Sequence, residues 1–299
     1  MLKVMMYPHP DSTLNGESGI HTLIRKYLEH FPSADMEIVS PKAESWDVLA
    51  IHAGTANEFG KGPMVAHLHG LYWTDDYSCA PWEYKANKDV ITNIIAADAI
   101  TVPSPWVAKT LRRGARINPF VLPHGIDYQE WETDQEHSGY VLWNKNRAAD
   151  VCDPTPVKKL AEIFNDINFI STFAPENSPS NVNTTGVMPH DRMRELVKSS
   201  CVYLATTKET FGIGILEAMA AGVPVLGYNH GGAEEIIEHC KTGYLAKPND
   251  IDDLARGLKY CLKYRSILGE NAKISVRKFT WEEVSIKAKE IYELSLIHI

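Results

Sequence analysis

Lys208-Glu209-Thr210-Phe211-Gly212-Ile213-Gly214-Ile215-Leu216-Glu217-Ala218-Met219-Ala220-Ala221-Gly222-Val223-Pro224-Val225 sets two carboxylates eight positions apart around a glycine-containing turn. A strand-like run, Val202–Thr207, precedes the turn. A helix of small and apolar residues follows it, and then a second strand-like run, Pro224–Tyr228. Strand, helix, strand in that order is the unit of a parallel sheet. The carboxylates therefore fall at the carboxyl end of a strand, where open α/β sheets bind their ligands. Gly212 and Gly214 let backbone N–H groups approach an anion at the helix N-terminus, whose partial positive charge suits a phosphate. Carboxylates beside a phosphate serve hydroxyls, as a nucleotide sugar offers. The plain alternative is a helix-start acid at Glu209 and a solvated helix residue at Glu217, since glycine turns between strand and helix are common.

The same rhythm extends in both directions. Strand-like runs at Leu2–Tyr7, Met36–Ser40, Asp47–His52, Met64–His69, Ala99–Val102 and Phe120–Leu122 alternate with helical patterns at Ile20–His30, Lys88–Ala97 and Pro105–Arg113. A second series runs through Gly139–Trp143, Ile167–Ser171, Val202–Ala205, Val225–Tyr228 and Tyr244–Ala246. Pro123–Glu136, polar and acidic, reads as a linker. The chain thus divides into an α/β domain over 1–125 and another over 126–279, each a doubly wound parallel sheet, with a ligand cleft expected between them. Thr280 is placed to cap a last helix over about 280–294. Whether the uncharged apolar tail, Leu294–Ile299, packs is left open by the sequence.

At 299 residues the chain is long enough for two such domains. Its 44% hydrophobic and 23% charged content is that of a soluble globular protein. No apolar run reaches the roughly 18 residues that would span a bilayer. Met1–Tyr7 enters a strand without a leader-cleavage pattern, and the five cysteines form no CxxC pair. Together these point to a cytoplasmic protein with reduced thiols and no disulfide framework or zinc site. A net charge of -8 argues against nucleic acid as a partner. The Gly19–Phe31 segment repeats apolar residues at Ile20, Leu23, Ile24, Tyr27, Leu28 and Phe31. That is the period of a core-facing helix, and with only Arg25 and Lys26 it allows at most a weak peripheral membrane contact.

The order E-x-F-G-x-x-x-x-E-A-M-A-x-G-x-P-V, followed by Gly231-Gly232-Ala233-Glu234-Glu235, closely resembles the donor site of retaining GT-B glycosyltransferases. More narrowly, it resembles family 4, the glycosyl transferases group 1 with an E-x7-E motif. The resemblance implies a GT-B fold of two Rossmann-like domains facing across a cleft, the last helix crossing back to the first domain. It also implies transfer of a hexose-type sugar from a nucleotide-diphosphate sugar, UDP or GDP being the leading donors, with retention at the anomeric carbon. No cofactor and no metal are implied. The acceptor, a glycan, a lipid or a small molecule, is out of reach, as is the oligomeric state.

By that resemblance Glu209 accepts hydrogen bonds from the donor sugar, and Glu217 holds the ribose diol. The backbone of Phe211, Gly212, Ile213 and Gly214 meets sugar and phosphate oxygens; Thr210 is equally plausible as a cap. The family's Gly-Arg and Lys-Gly after the first strand of the second domain are altered here. Val141-Leu142-Trp143-Asn144-Lys145-Asn146-Arg147 puts Lys145 where the arginine belongs, and Arg147 is the candidate second cation. In the first domain the match favours His69 in Val65-Ala66-His67-Leu68-His69-Gly70 as the contact near the reacting carbon. His67 lies two residues earlier, and a packed histidine is its plain reading. Gly16 and Gly19 resemble the glycine loop at the donor diphosphate, though a simple turn would read the same. His124-Gly125-Ile126-Asp127 departs from the family's Asn-Gly-Val-Asp at its first position. Val187, in Gly186–Asp191, falls in the loop whose backbone reads the base.

Two other activities fit the same fold: a non-catalytic nucleotide-sugar-binding module, encouraged by the altered phosphate motif, and a nucleotide-sugar epimerase, for which no acid–base pair is found. A Rossmann dehydrogenase is the least favoured reading, since no G-x-G-x-x-G follows the first strand of either domain.

Overall fold

The computed structural model describes residues 1–13, 19–55, 62–78, 80–133, 137, 139–148 and 151–297. They form two compact units, Met1–Gly125 with Phe279–Ile299, and Ile126–Lys278.

In the first unit the elements run β1 (Leu2–Tyr7), α1 (Pro10–Thr13), α2 (Gly19–His30), β2 (Met36–Ile38), β3 (Val48–Ile51), β4 (Met64–His67), α3 (Pro81–Ala96), β5 (Ala99–Val102), α4 (Pro105–Ala115) and β6 (Phe120–Val121). The strands pair in parallel in the order β2-β1-β3-β4-β5-β6, with Val4 opposite Val48 and Val65 opposite Ala99. Central strands are buried at every position (Val48–Ile51, Met64–His67), as expected where helices cover both faces of a parallel sheet. Leu23, Ile24, Tyr27 and Phe31 of and after α2 enter the core, whereas Leu28, expected inside, is 43% exposed. Helix α3 starts at Pro81 rather than at Lys88, because the Glu83 carboxylate accepts from the Ala80 N–H and Pro81 fits the first turn.

The second unit continues with α5 (Tyr128–Trp131), β7 (Tyr140–Trp143), α6 (Thr155–Ile163), β8 (Asn168–Ser171), β9 (Val182–Thr184), α7 (His190–Ser199), β10 (Val202–Ala205), α8 (Ile213–Ala220), β11 (Val225–Tyr228), α9 (Ala233–Ile236), β12 (Gly243–Ala246), α10 (Ile251–Lys263) and α11 (Arg265–Val276). Its parallel order is β12-β11-β10-β7-β8-β9. Counted from its own first strand this is the doubly wound order that reverses direction between β7 and β10, and ligands of such sheets bind outside that switch point.

The boundary between the units falls inside the segment read as a linker, and several of its described residues are packed rather than loose. His124 closes the first unit at 6% exposure, and Ile126 and Trp131 are buried in the second. Trp131 lies under the Arg194 guanidinium, 5.9 Å from its ring centre, and Lys273 Nζ donates to the Thr133 carbonyl at 3.2 Å. Two aromatic side chains in Tyr128-Gln129-Glu130-Trp131 give the stretch apolar area to bury despite its acidic flank. The last helix, α12 (Trp281–Ile297), belongs to the first unit's core through Trp281, Val284, Ala288, Ile291 and Tyr292. Thr280 Oγ1 caps it by accepting the Glu283 N–H at 3.1 Å. No described helix is long and apolar enough to cross a membrane.

Candidate active site

Two loops leave the switch point of the second unit, one after β7 and one after β10, and each brings one member of a charge pair. Lys145 Nζ donates to Glu209 Oε1 at 2.6 Å, with side chains only 13% and 28% exposed. Thr172 fixes the lysine's backbone from both sides: its hydroxyl accepts the Lys145 N–H at 2.8 Å and donates to the Lys145 carbonyl at 2.7 Å. Thr207 Oγ1 donates to the same Glu209 oxygen at 3.1 Å. Burial alone would raise the Glu209 pKa, but the Lys145 ammonium, its hydrogen bond, Thr207 and the Arg147 charge outweigh it and hold the carboxyl below its ordinary value. Burial likewise disfavours the Lys145 ammonium, and Glu209 more than reverses that, so its pKa is raised. Arg147 is exposed.

Gly212, at φ +110°, turns the chain into α8 from a conformation that L side chains rarely adopt. Ile215 and Leu216 donate their N–H groups to the Gly212 carbonyl, and the N–H groups of a helix's first turn, here those of Ile213 and Gly214, are the kind that suits an anion. Behind the turn Tyr203, wholly buried, donates its hydroxyl to Asn144 Oδ1 at 2.6 Å. A Cβ at Gly214 would run into that hydroxyl. Burial, offset in part by Lys145, pushes the phenol up to about 12. Gly231 and Gly232 seat the loop from the other side. The Gly232 N–H donates to the Glu209 carbonyl at 2.8 Å, and side chains there would strike the backbone of Glu209 and Phe211.

Helix α8 is apolar around most of its surface, with Ile215, Leu216, Ala218, Met219 and Ala220 buried. Glu217 is the one carboxylate it carries, 15% exposed and 3.7 Å from His190 Nε2. The interaction with Glu217 raises the His190 pKa against the effect of its partial burial. Of the remaining expected positions in this unit, Thr210 is half-buried, Phe211 is buried at 4% exposure, and Val187 is 51% exposed beside the positive-φ Gly186. Lys145, Glu209, Thr210 and the Phe211–Gly214 turn share one end of the sheet, and Glu217 follows on α8. Thr172, Thr207, Tyr203, Asn144 and His190 support these residues and have no local sequence signature; their partners lie as many as 59 positions away.

In the first unit, His69 follows β4 and is half-buried. It belongs to a cluster of four histidines at the carboxyl ends of β3, β4 and β6. His52 and His67 stack with ring centres 4.2 Å apart and 6° between planes. His52 Nδ1 and His69 Nε2 are 3.0 Å apart, and His124 lies 5.7 Å from His69, centre to centre. His67 spends both nitrogens on structure, Nδ1 on the Thr101 hydroxyl at 2.7 Å and Nε2 on the Tyr292 hydroxyl at 2.9 Å. Burial lowers all four pKa values: His69 to about 4, His124 to about 3, and His52 and His67 well below the ordinary value. His52 and His124 carried no expectation of this contact, since three separate strands bring them to His69. Gly19 begins α2 with open space where a Cβ would stand. Gly16 lies outside the described residues.

The two parallel sheets define an α/β protein of the GT-B class, with a carboxylate, an ammonium and a helix N-terminus gathered at the switch point of the second unit. Solved structures of the same fold include sucrose-phosphate synthase from Thermosynechococcus elongatus, at TM-score 0.76 and 14% identity over 100% of both chains. Another is Anabaena Alr3699/HepE in complex with UDP-glucose, at TM-score 0.75 and 16% identity over 98% of this chain and 100% of that one. Residues 175–277 match the family of glycosyl transferases group 1. The N-acetyl-alpha-D-glucosaminyl L-malate synthase of Bacillus anthracis is 37% identical over 107 residues, 34% of this chain and 28% of that protein. Alignments with the first curated relatives span only 22% to 30% of those proteins' lengths. The chain is thus a protein of GT-B fold whose residues 175–277 match the glycosyl transferases group 1.

Proposed function

We propose that the chain is a retaining glycosyltransferase that moves a hexose-type sugar from a nucleotide-diphosphate sugar to an acceptor hydroxyl. One observation carries this reading: the Lys145–Glu209 pair, 2.6 Å apart beside the Gly212–Gly214 turn at the head of α8. The pair offers a cation for a diphosphate oxygen and a carboxylate for sugar hydroxyls within one hydrogen bond of each other. A uridine diphosphate donor is favoured, because the Anabaena protein of the same fold is described with UDP-glucose.

In the reaction the bond between the anomeric carbon and the diphosphate oxygen breaks, and the acceptor oxygen forms the new bond on the same face. A phosphate oxygen takes the acceptor's proton, so sugar and diphosphate exchange partners without net acid or base. Lys145, Arg147 and the α8 N–H groups stabilise the negative charge that grows on the leaving diphosphate. Glu209 orients the sugar and Glu217 the ribose. His69 contacts the sugar near its reacting carbon. No metal and no cofactor enter this scheme, and the protein works in the cytoplasm.

The experiment is a thermal-shift panel of UDP, GDP and ADP with their sugar conjugates, repeated in EDTA. Stabilisation by the UDP series, about 2.7 kcal/mol at a hundredfold excess over Kd, is expected with or without chelator. A flat response across all three series would overturn the donor-site reading. Glu209→Ala discriminates transfer from mere binding: an enzyme loses donor turnover, whereas a binding module loses only affinity.

A further inference from the structure

We propose that His52 is a positioning residue that holds His69 in the tautomer protonated at Nδ1. The consequence for transfer rests on the donor-site role proposed for His69, but the tautomer itself does not.

The His52 ring has little freedom. It is 4% exposed, stacked on His67 at 4.2 Å, and flanked by Tyr27 at 5.4 Å between ring centres. His67 is itself tied at both nitrogens to Thr101 and Tyr292. The His52 plane is therefore set by β3, β5 and α12 together, and its Nδ1 meets His69 Nε2 at 3.0 Å. Both imidazoles are neutral near pH 7, so one of the two nitrogens must carry the shared proton.

The two assignments differ in what they leave behind. If His69 donated from Nε2, the His52 proton would sit on its own Nε2. That atom is buried and has no hydrogen-bond partner among the described residues. A buried N–H with no acceptor forfeits the full hydration of a donor, and such groups are rare in folded proteins. If His52 donates from Nδ1, only a lone pair is left unused at its Nε2, the milder defect. His52 therefore donates and His69 accepts at Nε2. That leaves the His69 proton on Nδ1, at the ring position away from His52.

With Nε2 occupied, His69 meets a substrate as an N–H donor and not as a base. It suits a hydroxyl or ether oxygen of the sugar, and it leaves the acceptor's proton to the phosphate oxygen. His52 touches no substrate in this scheme and acts only through the His69 ring.

The first test is the nitrogen-15 spectrum of the histidine rings of the whole chain at pH 7.5 without ligand, His69 being assigned by loss of its signals in His69→Ala. The expected result is a protonated Nδ1 and a bare Nε2 on His69. A protonated Nε2 would overturn the proposal whether or not any variant folds. His52→Asn keeps an amide N–H near the place of Nδ1 and should preserve the tautomer. His52→Leu should let His69 move to the Nε2–H form, and an unchanged His69 spectrum in a folded His52→Leu protein would sink the idea. With UDP-glucose as the probe donor, loss of one neutral hydrogen-bond donor in His52→Leu should lower kcat/KM about five- to tenfold, with His52→Asn restoring most of it. If UDP and its conjugates bind nothing, the donor-site reading fails while the ring spectrum still decides the tautomer.

Discussion

A lysine and a glutamate that share 2.6 Å in a mostly buried setting depend on each other more than on solvent. Removing one leaves the other's charge without its partner, so Lys145→Met should destabilise the second unit by about 1–3 kcal/mol. Lys145→Met with Glu209→Gln should recover part of that, giving a coupling of about 1–2 kcal/mol in a double-mutant cycle of urea unfolding. Additive single effects would mean that the pair is not coupled. Because the Glu209 carboxyl is held below its ordinary value, its share of the stability is present above that value. It is lost as the pH falls through the depressed one. Either single variant should also weaken donor binding at least tenfold, read as loss of the thermal shift with UDP-glucose. At this scale the sequence named both residues separately, one from each loop. The contact between them, 64 positions apart, is a product of strand order and has no local signal. The same holds for Thr172 and Tyr203, whose hydroxyls act on residues 27 and 59 positions distant.

Elements were legible where burial imposes a pattern. Strands such as Ala99–Val102, Val202–Ala205 and Val225–Tyr228 are short apolar runs between turn signals, and they stand where the pattern put them. Strand β9 was missed because Val182–Thr184 is three residues long, pairs on one side only and carries two exposed polar side chains. An edge strand of that kind has no hydrophobic period to read. The packed segment around Trp131 was missed for the opposite reason: its acidic neighbours masked a single buried aromatic anchor. The cap of α12 was legible, since Thr280 precedes a helical period and accepts the Glu283 N–H. Thr280→Ala should cost about 1 kcal/mol, while Thr280→Ser should be nearly neutral, measured as urea midpoints. Because α12 supplies Trp281 and Tyr292 to the first unit's core, the loss should appear in amide exchange of β1, β3 and α2 as well as in the helix. A change confined to the first turn of α12 would show that the helix frays without loosening that core.

Across the whole molecule the two units carry titrating histidines of opposite sign. The first unit holds His52, His67, His69 and His124 neutral through burial, with the neutral hydroxyls of Thr101, Tyr27 and Tyr292 around them. The unfolded chain protonates the same rings near pH 6.5, so below that value it binds more protons than the folded chain does. Stability of the first unit is therefore complete above about pH 6.5 and falls with pH, by up to about 1.4 kcal/mol per unit for each ring that stays neutral. In the second unit Glu217 raises the His190 pKa, so that contribution is complete below the unfolded value and fades as pH rises. His190 is half-exposed and its effect is correspondingly small. Unfolding in urea at pH 7.5, 6.0 and 5.0, followed by amide exchange peptide by peptide, should show a midpoint that drops steeply for β1, β3, β4 and α12. The midpoint of β7, β10 and β11 should barely move over the same range. Tyr292→Phe removes the hydroxyl partner of His67, and it should lower the first unit's stability by about 1 kcal/mol at pH 7.5 while leaving the slope below pH 6.5 in place. Equal pH slopes in both units would mean that the histidine cluster is not what sets the acid limit. A steeper slope in the second unit would assign that limit to carboxylates such as Glu209.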